Sequence, residues 1–238
     1  MMKSEILLYI DILKQRVQGQ ISDYITGETV NRIAGNAFKF HFIENKGSLD
    51  FQIYYSNTVS NRQYFLSTDN FFRVFKQKYA LQGIDNNYLN RLEQEKATII
   101  QLIDGNELAT LYFKYFAKAQ IQHGKRTVTK NLGSFFAKLV HTFRPNDFCA
   151  LDNPIKNYFG LRRESFYVAF VIISHAYKEW ASDNAALMHQ VRIELENINE
   201  KGNFYSNKMT DLKLLDLIFW GKAKKWSRSK NDHSTDRN

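Results

Sequence analysis

The sequence predicts a mainly α-helical fold that carries a small N-terminal β-hairpin or sheet, an α+β arrangement. Three observations predict it. Apolar residues recur at helical spacing along most of the 238-residue chain. Chain breakers are scarce, with Pro 2 and Gly 11, which favours long helices and short connections. One stretch, residues 37 to 55, alternates instead. Apolar content of 44%, with Phe 19 and Tyr 13, supplies a sizeable core.

Taken in order, Ile6, Leu7, Ile10, Leu13 and Val17 fall on one helical face over residues 4 to 18, with Ser4 as N-cap. Phe38, Phe40 and Phe42, a turn at Asn45-Lys46-Gly47, then Phe51, Ile53 and Tyr55 read as a hairpin. Residues 63 to 66 extend it as a further strand. Ser67, Thr68 and Asp69 offer caps for a helix ending at Tyr79. Further helices are expected over 86–103, 106–121, 133–143, 153–160, 164–181, 183–199 and 209–222. The helix over 164–181 is the most apolar, with Phe166, Ala169, Phe170, Ile173, Ala176, Tyr177 and Trp180 in one stripe, so it belongs at the centre of the fold. His175 and Glu179 beside that stripe are too few ligands for a metal, and His175 reads as a hydrogen-bonded structural histidine. The chain thus divides into a helix-plus-hairpin region (1–66), a helical domain (67–222) and a basic, disordered tail (223–238).

The formal charge is +9, of which residues 221–238 supply +4. A positive field of this kind favours DNA or another polyanion as partner. The N-terminal apolar run is broken by Glu5 and Asp11, so neither a signal peptide nor a membrane span is expected. Cys149 is the single cysteine and cannot form an internal disulfide, which points to a reducing, cytoplasmic setting. There is no Ser/His/acid triad pattern, no Gly-Lys-Ser/Thr phosphate loop and no Cys/His zinc spacing, so no metal or cofactor is expected.

The stretch NDFCALDNPIKNYFGL, residues 146 to 161, holds the candidate catalytic residue. Arg144-Pro145-Asn146 ends the preceding helix, and Phe148 to Leu151 forms a short buried run. Asp152 then stands before Asn153-Pro154, where proline suits the first turn of a helix. Asp152 or Asn153 caps that helix, which needs no further role for Asp152. On the helix before it, Ser134, Lys138 and His141 share the face opposite Phe136, Leu139, Val140 and Phe143.

The order helix, proline-bearing loop, apolar run, Asp, short helix, Gly-Leu resembles part of the helix-hairpin-helix DNA glycosylase superfamily over residues 130 to 165. Leu132-Gly133-Ser134 is similar to the end of its phosphate-binding hairpin, and Ala150-Leu151-Asp152 to its catalytic Asp run. Leu214-Leu215-Asp216 through Trp220-Gly221 looks like the late helix of eight-oxoguanine glycosylase relatives. The resemblance implies a helical glycosylase-like bundle and Asp152 as the catalytic carboxylate. It also implies a phosphate contact at Gly133 and Ser134; around them Lys125, Arg126, Lys130, Lys138, Arg144, Lys156, Arg162 and Arg163 supply charge for DNA phosphates, or else form an ordinary solvated surface. The position of the family's Schiff-base lysine falls near Phe135, with Lys138 displaced by three, and Asn-Pro follows Asp152 where Thr/Val-His is usual. A monofunctional base excision, or a catalytically degenerate DNA-binding scaffold, is therefore expected. The alternative is a non-enzymatic protein-interaction component of a bacterial defence or toxin-type system, with a protein partner.

Overall fold

The computed structural model describes residues 2–43, 48–198 and 208–235. It is mainly helical. In chain order the elements are α1 (Met2–Tyr24), α2 (Val30–Phe38) with a π-helical turn (Lys39–Ile43), α3 (Ser48–Thr58), α4 (Arg62–Ser67), α5 (Phe71–Lys78), α6 (Asn86–Gln94), α7 (Lys96–Asp104) and α8 (Leu108–Leu111) with a second π-helical turn (Tyr112–Phe116). An antiparallel hairpin follows, β1 (Ala119–His123) with β2 (Arg126–Lys130). Then come α9 (Gly133–Phe143), α10 (Asn153–Tyr158), α11 (Phe166–Asp183), α12 (Ala185–Ile198) and α13 (Asp211–Thr235).

The small β element exists, but not near the N-terminus. Residues 37–43 and 48–55 are helical, and the turn expected at Asn45-Lys46-Gly47 lies outside the described residues. The alternation there was a coincidence of two helical faces. Val30, Ile33, Ala34 and Ala37 are buried at helical spacing. Further on, Tyr54 and Tyr55 are buried while Ile53 is 43% exposed, which period two forbids. Residues 63–66 belong to α4, where the Asn61 side chain accepts from the Tyr64 amide at 2.9 Å.

The actual hairpin joins His123 to Arg126 through Gly124-Lys125, with Gly124 at φ +62°. Glycine at the first position of a two-residue turn matches strand twist. Ala119 and Ile121 point inward, while Gln120 and Gln122 pair across the strands with Thr129 and Thr127. The helix expected over 106–121 therefore stops at Phe116, and that over 86–103 breaks at Glu95 into α6 and α7.

α9 is the central element. Of its residues only Ser134 is not fully buried. Phe135 and Phe136 pack edge-on against Phe75 and Phe170. α11 carries the expected stripe, every member of it buried, and starts at Ser165, whose hydroxyl accepts from the Val168 amide at 3.2 Å. His175 is instead solvent-exposed, and its neighbour Glu179 bonds Lys14 at 3.1 Å and Gln18 at 2.9 Å. α1 packs on α11, α12 on α2, and α13 on α10. One apolar cluster joins residues from Leu13 to Phe219. The tail expected from 223 onward continues α13 as helix to Thr235. No Pro or Gly follows Gly221, and Lys and Arg are good helix formers, so nothing stops the helix where apolar content ends. Among the described residues no helix is long and apolar enough to cross a membrane.

Candidate functional site

Three elements bring the site together. α9 presents Ser134 and Lys138 one turn apart on a single edge. The Arg144–Asp147 turn reverses the chain, tied by an Arg144–Asp147 pair at 3.0 Å and by Arg144 over the Phe148 ring at 4.9 Å. The buried run Phe148–Leu151 then returns alongside α9. Its Cys149 amide donates to Ser174 Oγ at 3.1 Å, and burial pushes the Cys149 thiol up to about 12, which leaves it inert. This run delivers Asp152 to the start of α10.

Asp152 is both a cap and an ion-pair partner. Its Oδ1 accepts from the Asn153 amide at 2.9 Å and from Ser134 Oγ at 2.7 Å. Its Oδ2 lies 3.1 Å from Lys138 Nζ. Burial alone would raise the carboxyl. The Lys138 charge and the hydrogen bonds from Ser134, Lys138 and the Asn153 amide outweigh it and hold Asp152 below the ordinary carboxylate range. Asp152 is therefore ionised at neutral pH.

Asp152 and Lys138 line a cleft of about 410 Å³, within the range of small-molecule sites. α13 contributes Lys213, Asp216, Leu217 and Trp220 to the lining. His41, Phe51 and Gln52, and the C-terminal end of α5 with Tyr79 and Ala80, also line it. Lys213 Nζ meets Asp216 Oδ2 at 3.0 Å and sits 5.5 Å from the Phe51 ring centre. Asp216 Oδ1 is buried and has no hydrogen-bond partner among the described residues. Burial is the main cause that raises the Asp216 carboxyl; Lys213 opposes it and Asp152 adds to it. His41 donates through Nε2 to the Leu217 carbonyl at 2.9 Å, because a carbonyl only accepts, and this leaves Nδ1 as an acceptor. The ring stacks on Trp220 at 5.3 Å, and burial lowers its pKa to about 4, so it is neutral at pH 7.

Of the residues expected at the site, the structure brings together Asp152, Ser134 and Lys138. Lys125 and Arg126 are exposed at the hairpin turn, and Arg162 and Arg163 are exposed between α10 and α11; none lines the cleft. Lys130 Nζ donates to the Gly83 carbonyl at 3.1 Å. Lys156 is buried and donates to the carbonyls of Arg162 at 3.4 Å and Glu164 at 2.5 Å. Gly133 serves packing: a Cβ there would overlap the Phe166 ring, and its amide donates to Asn131 Oδ1 at 2.9 Å. The element before Gly133 is a β-hairpin rather than a helix. Phe135 faces the core, whereas Lys138 faces the cleft. His141, placed by periodicity with Ser134 and Lys138, is buried between Tyr55 Oη at 2.9 Å and the Phe148 carbonyl at 2.6 Å.

Sequence spacing assigns no site role to Lys213 or His41, and Asp216 and Trp220 enter only within the run that looks like a late glycosylase helix. One signal existed. Lys213 and Asp216 interrupt the apolar face made by Leu212, Leu215 and Phe219, and charge inside an apolar stripe marks a polar cavity or a buried pair. Among the described residues no group of His, Cys, Asp or Glu could hold a metal ion. No family model, curated protein or solved structure matches the chain.

Proposed function

We propose that the protein binds nucleic acid and receives an extruded base in the cleft, where Asp152 promotes cleavage of the bond between base and sugar. The observation that carries this reading is an ionised carboxylate on a cleft wall, held by Ser134 and Lys138 and facing aromatic and polar groups. A fixed anion beside C1′ stabilises the positive charge that grows on the sugar as the base departs. The volume of about 410 Å³ suits a flipped nucleotide. Trp220 and His41 supply aromatic surface, and Asp216 Oδ1 supplies a buried acceptor for a base edge. The net charge of +9 supplies the long-range attraction to phosphates. The resemblance to helix-hairpin-helix glycosylases around Asp152 points the same way.

Lys138 favours a covalent variant of the same chemistry. Its amine stands on the cleft wall, one helical turn from the position the resemblance assigns to an attacking lysine. To attack C1′ it first gives up a proton, and Asp152 at 3.1 Å is the base within reach. The new C–N bond forms as the bond to the base breaks, and the base leaves with the electron pair and takes up a proton; the C1′–O4′ bond then opens, its oxygen taking a proton from the new nitrogen, to give the imine that borohydride reduces. Incubation with a panel of damaged-base, uracil and mismatch duplexes tests both forms. Base release is expected, and borohydride trapping of a protein–DNA adduct marks the covalent form. No release from any substrate overturns the catalytic reading.

A protein-interaction role is favoured by a separate observation. Ile6, Leu7, Leu8, Tyr9 and Ile12 on α1 are 47–62% exposed, five large apolar side chains within seven residues. Light scattering across a concentration series reads whether it associates; a monomer throughout counts against self-association.

A further inference from the structure

The cleft does not end at α5. A second depression of about 390 Å³ lies beyond it and shares Gln77 and Ala80 with the first. Gln77 and Ala80, which line both, form the ridge between them. That ridge has a fixed shape: the Ala80 amide donates to Gln77 O at 3.1 Å, the Leu81 amide to Lys76 O at 2.9 Å, and Ala80 is held at φ +50°. Lys76 Nζ ties the same turn to the Ile84 carbonyl at 2.6 Å.

The two depressions differ in charge. The first is lined by Asp50, Asp152 and Asp216 against Lys78, Lys138 and Lys213, which balance. The second is lined by Arg73 and Lys76 with Gln77, Gln82 and Asn86, and by no acid. Asp85 lies next to it in sequence, but its two oxygens accept from the amides of Tyr88 at 2.9 Å and Gln122 at 2.6 Å. Arg73 is exposed and bonds only Asn90 Oδ1, at 3.3 Å, among the described residues. Most of the guanidinium donors, and their full charge, remain for a ligand. Leu81 and Leu89 give the depression an apolar floor.

We infer that this second depression holds the sugar-phosphate backbone next to the nucleotide whose base enters the first, with Arg73 on the phosphate. The inference rests on the nucleic-acid reading above. A neutral base fits the charge-balanced cleft, where carboxylates would repel a phosphate. An anionic backbone fits the acid-free depression, and the shared ridge lets one strand occupy both. The apolar floor suits the sugar.

The test is a salt titration of binding to fluorescein-labelled single-stranded and duplex DNA, read by anisotropy. Each phosphate contact contributes about 0.9 to the slope of log K against log salt, which is about 3.5-fold of the affinity lost between 50 and 200 mM. Arg73→Gln is expected to lower the slope by about one contact and to weaken binding at low salt. Arg73→Lys keeps the charge and should keep the slope. Arg32→Gln, which removes the same charge from an exposed position of α2 outside both depressions, should leave the slope unchanged. A wild-type slope for Arg73→Gln overturns this inference while DNA binding itself stands. A wild-type protein that binds neither DNA overturns the nucleic-acid reading and this inference with it.

Discussion

Replacing Lys138 by Met removes the cation from Asp152 while preserving most of the buried stem. The lysine side chain is 10% exposed and the Asp152 side chain 28%. Removing one partner of a fully buried pair costs about 3–5 kcal/mol, whereas exposed pairs contribute about 0–1 kcal/mol. Asp152 keeps its Ser134 and Asn153 donors on Oδ1 and faces a cleft open to water. We therefore expect Lys138→Met to destabilise by about 2 kcal/mol at pH 7. For a chain of this size that is roughly 4–8 °C in Tm. Asp152→Asn keeps a good cap and removes the charge. In a cycle of the two single variants and the double variant, urea unfolding should give a coupling of about 1–2 kcal/mol. The effect must also depend on pH with a definite sign. The folded Asp152 carboxyl lies below its unfolded value, so its stabilisation is complete above the ordinary carboxylate pKa and is lost as pH falls through the folded one. The gap between wild type and Lys138→Met should close in acid. Additivity of the two changes within about 0.3 kcal/mol would refute the reasoning.

Gly133→Ala drives a methyl into the Phe166 ring and should cost about 1–3 kcal/mol; Phe166→Leu in the same chain should recover part of that in thermal melts. His41 and His141 remain neutral in the fold down to about 4 and about 3, while an unfolded histidine takes up a proton near 6.5. The unfolded state therefore binds more protons as pH falls below that value, and urea midpoints should drop steadily from pH 7 to 5. By linkage His41 alone accounts for about 3 kcal/mol once pH reaches 4, and an unchanged midpoint would contradict its burial. Deleting residues 227–238 leaves in place Leu212 to Ala223, which hold the buried residues of α13 among those described. Tm should shift by no more than about 2 °C, since terminal residues beyond the core add little stability.

The helices were legible where one face is apolar and long enough. The stripe on α11 and the cap at Asp152 stand where periodicity and proline placement put them. The β-hairpin was not, because two patterns compete. Phe38, Phe40 and Phe42 suggest period two, but the tertiary fold buries Val30, Ile33, Ala34 and Ala37 and carries the helix through. Gln-Ile-Gln-His-Gly-Lys-Arg-Thr-Val-Thr, which does pair, is short and half polar, so its Thr-Val-Thr alternation was easily lost beside a basic run. The site was legible as far as local spacing reaches. Ser134, Lys138 and Asp152 lie within nineteen residues of one another. His41 and the α13 residues reach the cleft only through packing of distant helices, which no local pattern encodes. Gly133 shows the limit in the other direction: a glycine at a helix start suggested a backbone–phosphate contact, and the close approach it permits is to Phe166.

The central claim is that the Asp152 charge acts in catalysis beyond its cap. Single-turnover base excision by Asp152→Asn tests it, with DNA affinity and Tm measured alongside. Asn caps as well as Asp, so folding and binding should survive, while loss of the anion beside C1′ should slow excision by about 100-fold or more. Excision at the wild-type rate by a folded, DNA-binding Asp152→Asn would contradict the account and leave Asp152 as the cap of α10 alone.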